Sequence, residues 1–258
     1  MKVVLFCGGL GTRLREHSDT IPKPLVNIGY RPIIWHLMRY YAHYGHNDFI
    51  LCLGYRGDLI RKFFLTYNEC MSNDFVMSEG GKKIELQSSD IDDWRITFVD
   101  TGMHANIGQR LLRVRKYLEG EEMFLANYSD GLSDLPLDRH IADFQARGVI
   151  AGFLSVRPSQ SYHAIRTDPQ GFVTELEPVS ESDHWVNGGF FCLRPQVFDY
   201  IQEGEELVDE PFHRLIAKKQ LWAPRHQGFW ASMDTLKDKI TFDRRDARGD
   251  CPWAVWNS

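Results

Sequence analysis

Residues 8–24 concentrate groups suited to hold and neutralise an anion: Gly8-Gly9-Leu10-Gly11-Thr12-Arg13-Leu14, followed by Pro22-Lys23-Pro24. Glycines directly behind a buried strand let backbone N–H groups come close to a phosphate or a base. Arg13 adds a planar, always charged fork that matches phosphate oxygens. Lys23, held between two prolines, is a point charge on a stiffened backbone, placed as an enzyme would aim an ammonium at a transferring phosphoryl group. The segment is not the dinucleotide fingerprint, because residue 14 is leucine where G-x-G-x-x-G needs glycine. It is not a P-loop, because no Lys-Ser/Thr follows the last glycine. The simpler alternative is an ordinary strand–helix turn with a surface arginine and lysine. The coincidence of glycines, Arg13 and Lys23 in one short stretch argues against it.

Two carboxylates join this set. Asp130 stands in Tyr128-Ser129-Asp130-Gly131, just past an apolar run that reads as a buried strand. Ligands of open α/β sheets bind at that end of the strands. A turn residue beside glycine is the alternative. Asp234, in Met233-Asp234-Thr235, begins a predicted helix, and taken alone it reads as a helix N-cap.

The elements that must position these groups follow from the hydrophobic pattern. Lys2 to Cys7 is a continuous apolar run ending at Gly8-Gly9, the signature of a strand buried on both faces. The spacing predicts helices over Pro32–Tyr44 and Asp58–Tyr67, with the strand Asp48–Leu53 between them. Strands follow at Arg95–Asp100, Met123–Tyr128, Ile150–Val156, Ala164–Arg166, Phe172–Glu177 and Val186–Leu193. A basic helix is predicted over Gly108–Leu118, and further helices over Pro195–Gln202, Glu210–Lys219 and Thr235–Arg245. Alternation of strand and helix implies right-handed βαβ units, hence an α/β fold with a doubly wound, mostly parallel, Rossmann-like sheet. Residues 68–93 break the rhythm and read as an inserted β-hairpin. No repeat or long linker divides residues 1–258, so one domain is expected, with a helical, Trp-rich part over 210–258.

Composition bounds the rest. The chain has 258 residues, 43% of them hydrophobic, and a formal charge of −5. At this length about three quarters of the unfolded surface can be buried, enough for one sizeable core. The acidic balance gives no basis for sequence-independent nucleic-acid binding. No apolar stretch is long enough for a membrane helix. Five cysteines without a C-x-x-C pair fit a reducing, cytoplasmic compartment. His36, His43 and His46 lie close in sequence, but their spacing forms no compact metal-ligand set.

The stretch FCGGLGTRLREHSDTIPKPLVNIGYRPIIWHLM resembles the signature of the sugar-phosphate nucleotidyltransferases, more narrowly their glucose-1-phosphate cytidylyltransferase branch. Further matches are FILCLGYRGDLIRKFF, WRITFVDTG, the YSDG turn, WVNGGFF and GFWASMDTLKDK, so the resemblance spans nearly the whole chain. The inserted hairpin followed by VDTG favours the cytidylyl branch over uridylyl and thymidylyl relatives. The resemblance implies a nucleotide-diphospho-sugar transferase fold and the condensation of CTP with a sugar 1-phosphate, releasing pyrophosphate. It implies Arg13, Lys23 and Asp130 as catalytic, and Asp130 with Asp234 as ligands of Mg²⁺. Gly8, Gly9, Gly11, Thr12, Gln109 and Arg110 would bind the nucleotide. Glu177, Asn187 and Gly188 would bind the sugar phosphate. A homo-oligomer is expected by the same analogy.

The departures from the family pattern cluster at the acceptor. A Glu-Lys-Pro element reads Glu177-Pro178-Val179, and an Arg-Phe-Gly element reads Ser161-Tyr162-His163. Two cations are thereby replaced, with Lys218, Arg166 and His163 as candidates to compensate, and a diverged acceptor is expected. The competing readings are the same chemistry with UTP or dTTP, and a regulatory protein that binds a nucleotide or sugar phosphate without turnover.

Overall fold

The computed structural model describes residues 1–9, 21–158 and 162–257. From the N-terminus come β1 (Lys2–Phe6), the short pair β2 (Asn27–Ile28) and β3 (Arg31–Pro32), α1 (Ile33–His43), β4 (Asp48–Leu53) and α2 (Gly57–Leu65). The hairpin β5 (Phe75–Ser78) and β6 (Lys83–Leu86) precedes β7 (Arg95–Asp100), α3 (Ile107–Val114) and β8 (Phe124–Tyr128). Then follow β9 (Gly131–Ser133), α4 (Leu137–Arg147), β10 (Ala151–Gly152), β11 (Ser155–Val156), and the hairpin β12 (His163–Thr167) and β13 (Val173–Pro178). The chain continues through β14 (Val186–Asn187), β15 (Phe191–Leu193), α5 (Glu210–Ala217), β16 (Leu221–Trp222), β17 (Arg225–His226), β18 (Trp230–Ser232) and α6 (Leu236–Ala247).

Seven strands form the central sheet in the order β16-β10-β15-β8-β1-β4-β7. Every neighbouring pair is parallel except those of β15, which runs antiparallel to β8 and β10. β1 is the apolar segment KVVLF with parallel neighbours on both sides, so both of its faces are covered. Val3, Leu5 and Cys7 enter one core with α1, α4 and α6, through Leu37, Phe144 and Phe242. Val4 and Phe6 enter the other, with Leu111 of α3 and Leu215 of α5. This alternation is the two-residue period of a strand read out in space. Helices on both faces make the sheet doubly wound.

Strand register sets the level at which the loops emerge. Phe6 lies opposite Cys52 on one side and Tyr128 on the other. The loops beginning at Cys7, Gly54 and Ser129 therefore leave the sheet together, on its C-terminal edge. On the same edge β11, β14 and β17 form a three-stranded sheet in the order β14-β11-β17. It prolongs β15, β10 and β16 outward. Bonds from Leu154 N to Gly189 O (2.8 Å) and from Ser155 N to Pro224 O (2.9 Å) carry the ladder across the join.

Several boundaries differ from those the pattern predicts. Ile150–Val156 divides into β10 and β11. Val186–Leu193 divides at Gly188-Gly189, where a φ of +78° at Gly189 ends the extended backbone. Pro195–Tyr200 is 3-10 rather than α-helix. The helix α4, absent from the periodicity reading, packs Ile141 and Phe144 onto the sheet. The insertion is anchored by a buried pair, Arg31 and Asp90 (3.3 Å), with Tyr67 donating to Asp90 (2.7 Å). The strands β5 and β6 beyond it are exposed along their length. At the other end of the chain, Trp253 is 1% exposed and its indole N–H donates to His36 Nδ1 (3.4 Å). No helix among the described residues is long and apolar enough to cross a membrane.

Candidate active site

Lys23 sits in a 3-10 turn, Lys23–Leu25, entered through Pro22 and continued by the buried Pro24. Leu25 N donates to Pro22 O (2.8 Å) and Val26 N to Lys23 O (3.1 Å), so the backbone beneath the lysine is fixed twice. Its ammonium lies 2.5 Å from Asp130 Oδ2 and 2.7 Å from Asp234 Oδ1. Burial, the largest single influence, lowers the Lys23 pKa. The charges and hydrogen bonds of Asp130 and Asp234 outweigh it and hold the ammonium above its ordinary range.

Asp130 follows β8 and is tied at its backbone, where its carbonyl accepts from Met233 N (2.8 Å). That bond sets Met233-Asp234 beside the end of β8, next to the pairing of β18 with β9. Asp234 is not the helix cap. Thr235 caps α6 through a reciprocal box with Asp238. The Asp234 carboxylate, accepting from Ser232 Oγ (2.8 Å), is thereby left to face Lys23.

Gly8 and Gly9 line the same cleft, whose volume is about 350 Å³, with Lys23, Asp130 and Asp234. Arg110 lies on its wall, but the guanidinium is committed to the protein. It donates to Gly8 O (3.0 Å), Leu53 O (3.2 Å) and the Thr101 hydroxyl (2.7 Å). It thus ties together the loops after β1, β4 and β7. Gln109 is not brought into the cleft lining, because its side-chain oxygen accepts from Asn106 N (3.1 Å) in the capping box of α3. Gly11, Thr12 and Arg13 lie outside the described residues, as does Ser161.

On the acceptor side, Asn187 Nδ2 donates to the Tyr128 hydroxyl (3.3 Å), and its Oδ1 accepts from Gly189 N (2.9 Å). Gly188 is pressed between strands: an added Cβ would stand 2.8 Å from Val156 Cγ1 and 3.1 Å from Trp230 Nε1. Asn187 thus adjoins Tyr128, which lies on the cleft wall, and Gly188 follows it. Glu177 is elsewhere, paired with Ala164 in the β12–β13 hairpin, where the next pair is His163 with Pro178. The positions that depart from the family pattern are thus cross-strand neighbours. Of the cations proposed to compensate, Arg166 is paired with Glu175 (2.9 Å) and Lys218 lies over the Tyr200 ring (5.0 Å); neither lines this cleft.

Two further groups carry no signal in the sequence. Glu206 lines the cleft and accepts from Ile107 N (3.2 Å), and burial holds its carboxyl above the usual range. Asn127, buried in β8, accepts from Phe190 N (3.0 Å) and organises the Gly188-Gly189 turn. Neither belongs to a local motif, since each is defined by a partner far away in sequence.

Asp130 and Asp234 supply a donor set of two carboxylates. Two carboxylate oxygens converge on one ammonium, which stands where a cation is stabilised, and Mg²⁺-type sites commonly need one or two carboxylates plus phosphate oxygens and water. No group of three or more protein ligands occurs among the described residues.

Residues 2–231 match the family model for nucleotidyl transferases. The chain is similar to the glucose-1-phosphate cytidylyltransferase of Salmonella typhi, with 38% identity over 259 residues covering 99% of this chain and 100% of the relative. It is similar also to the mannose-1-phosphate guanyltransferase of Saccharomyces cerevisiae, with 30% identity over 93% of this chain and 63% of that protein. Among solved structures, UDP-glucose pyrophosphorylase complexed with UDP-glucose aligns with a TM-score of 0.69 and 17% identity, covering 96% of this chain and 98% of the other. That likeness shows a shared fold.

Proposed function

Because the chain belongs to the nucleotidyl transferase family, we propose that it is the enzyme that condenses CTP with a sugar 1-phosphate to give a CDP-sugar and pyrophosphate. The observation that carries this reading is the convergence of Lys23, Asp130 and Asp234 beside Gly8 and Gly9 at the C-terminal edge of β1 and β8. A phosphate oxygen of the sugar 1-phosphate attacks the α-phosphorus of CTP in line. A new P–O bond forms as the bond to the β-phosphate oxygen breaks, and pyrophosphate carries away the electron pair. The nucleophile is already an anion, so no residue has to act as general base.

Catalysis is then positioning and charge neutralisation. The Lys23 ammonium neutralises charge on the phosphates, and Gly8 and Gly9 let them approach the backbone. Gly11, Thr12 and Arg13, next in sequence, are assigned to the triphosphate by their residue types. Arg110 acts here as a positioning residue for the Gly8 loop. Asn187, Gly188 and Glu177 are assigned to the acceptor. Asp130 and Asp234 would hold a divalent cation, proposed to be Mg²⁺, which supplies further neutralisation of phosphate charge when bound. A cytoplasmic homo-oligomer is the state proposed for the enzyme.

Pyrophosphate release from CTP, UTP and dTTP, each with a panel of sugar 1-phosphates, tests the assignment. CTP should give the highest kcat/KM. A preference for UTP or dTTP would reassign the base, and binding without turnover would favour the regulatory alternative.

A further inference from the structure

The small sheet β14-β11-β17 carries side chains that the transfer chemistry does not use. Asn187 pairs with Ser155, and Ser155 with Arg225, so these three share one face. Two residues outward, just beyond the ends of β14 and β11, come Trp185 and Arg157. The Arg157 and Arg225 guanidinium carbons lie 5.4 and 4.9 Å from the Trp185 ring centroid. Arg157 Nη1 donates to Ser180 O and Ser182 O, both at 3.3 Å. The Trp185 indole donates to Asp183 (3.2 Å), which also pairs with Arg225 at 3.7 Å. Both partners of that pair are largely exposed, 61% for Arg225 and 84% for Asp183. Such a long, solvated pair is weak, so a ligand anion can displace Asp183 from it.

Strand spacing locates this group relative to the reaction. Neighbouring strands lie roughly 4.8 Å apart. Counting outward from Asp130 at the end of β8, the strand of Asn187 is the next over, about 5 Å away. The strand of Arg157 is the second, about 10 Å away, and that of Arg225 the third, about 14 Å away. The reacting phosphate must lie at Lys23 and Asp130. The backbones of Arg157 and Arg225 thus stand two and three strands to the side of it, towards the opposite side of a sugar ring resting on Asn187.

Resting on the transferase reading, we infer that the acceptor is a sugar 1-phosphate with a second anionic group, a carboxylate or a phosphate, on the far side of its ring. Arg157 and Arg225, arrayed over Trp185, bind that group. The planar fork of arginine takes either anion in bidentate fashion, and stacking on the indole pre-orients it.

The experiment compares glucose 1-phosphate, glucuronic acid 1-phosphate and glucose 1,6-bisphosphate as acceptors with CTP and Mg²⁺. Wild-type kcat/KM should be about tenfold or more higher for one acidic acceptor, as expected for a charge-assisted contact. Whether the carboxylate or the bisphosphate wins identifies the anion. Arg157→Gln and Arg225→Gln should each lower the acidic-to-neutral ratio several-fold, with Arg157→Lys in between. Equal or better use of glucose 1-phosphate by the wild type overturns the inference. So does an equal loss on all three acceptors in folded Arg157→Gln, which would place Arg157 at the reacting phosphate. Calorimetric titration of the same acceptors in the presence of α,β-methylene-CTP separates the two readings. Tight binding of an acidic acceptor, lost in Arg157→Gln, supports the inference even where no pyrophosphate is released. Equal binding of all three overturns it even in an active enzyme.

Discussion

The guanidinium of Arg110 fills the volume that a side chain at residue 8 would require: an added Cβ on Gly8 would overlap Arg110 Nη1 and Cζ. Gly8→Ala therefore has to dislodge a buried arginine from Gly8 O, Leu53 O and Thr101. Losing these bonds to a charged donor costs about 2–4 kcal/mol. The expected outcome is a lower melting temperature together with a tenfold or greater loss in kcat/KM for CTP. A Gly8→Ala variant with wild-type melting and kinetics would show that the loop tolerates the displacement.

Lys23→Ala should abolish pyrophosphate release while leaving the circular dichroism spectrum intact, because the lysine lines the cleft and belongs to neither hydrophobic core. The substitution also leaves Asp130 and Asp234 facing each other without their shared cation. Added Mg²⁺ should then raise the melting temperature of Lys23→Ala more than that of the wild type, since binding to the folded state stabilises by mass action. An equal rise in both proteins would argue that the carboxylates do not hold the ion.

Acid should destabilise the protein through its buried histidines. Burial lowers the pKa of His36 and of His140 to about 4. In the unfolded chain each takes up its proton near pH 6.5, so between pH 6.5 and 4 the unfolded state holds more protons. Stability is then full above that window and falls as the pH drops through it, by about 2–4 kcal/mol for each histidine. Chemical denaturation at pH 7.5, 6 and 5 reads this slope, and His36→Gln should flatten it. The hydrogen bonds agree with a neutral ring: Nε2 donates to Ile28 O (3.1 Å) while Nδ1 accepts from Trp253.

Asp90→Ala should loosen the insertion without stopping the enzyme. It leaves Arg31, 5% exposed, as a buried cation without its carboxylate, a loss on the order of 3–5 kcal/mol for such pairs. Limited proteolysis is expected to cut first within residues 66–93, and pyrophosphate release should persist at reduced temperature. Unchanged protease resistance would mean that Asn68 O and Ser72, which also bind Arg31, suffice as anchors.

Legibility in the sequence depends on the range of the interaction involved. The strands β1, β4, β7 and β8 announce themselves as short apolar runs, because burial on both faces leaves no polar alternation. The hairpin β5–β6 is likewise marked by Gly80-Gly81. Lys23 and Asp130 are recognisable from the prolines and glycine beside them. Asp234 is ambiguous because a cap and a ligand look alike from residue type, and only the bond from Met233 N to Asp130 O decides where it faces. The helix α4 is missed because its first residues follow Pro136 without a side-chain cap. Gln109 reads as a base contact from residue type, and as a capping partner of Asn106 from geometry, since both uses draw on the same amide. The Arg157, Trp185 and Arg225 group has no local signature at all. It exists only because three short strands from distant parts of the chain lie side by side.

The bond between Trp253 and His36 spans 217 residues, and the indole seals the outer face of α1 together with Phe242 and Phe229. Closure of this half of the core therefore rests on pairing between segments far apart in the chain rather than on any local strand–helix unit, and α1 stays uncovered until residues 229–253 have docked against it.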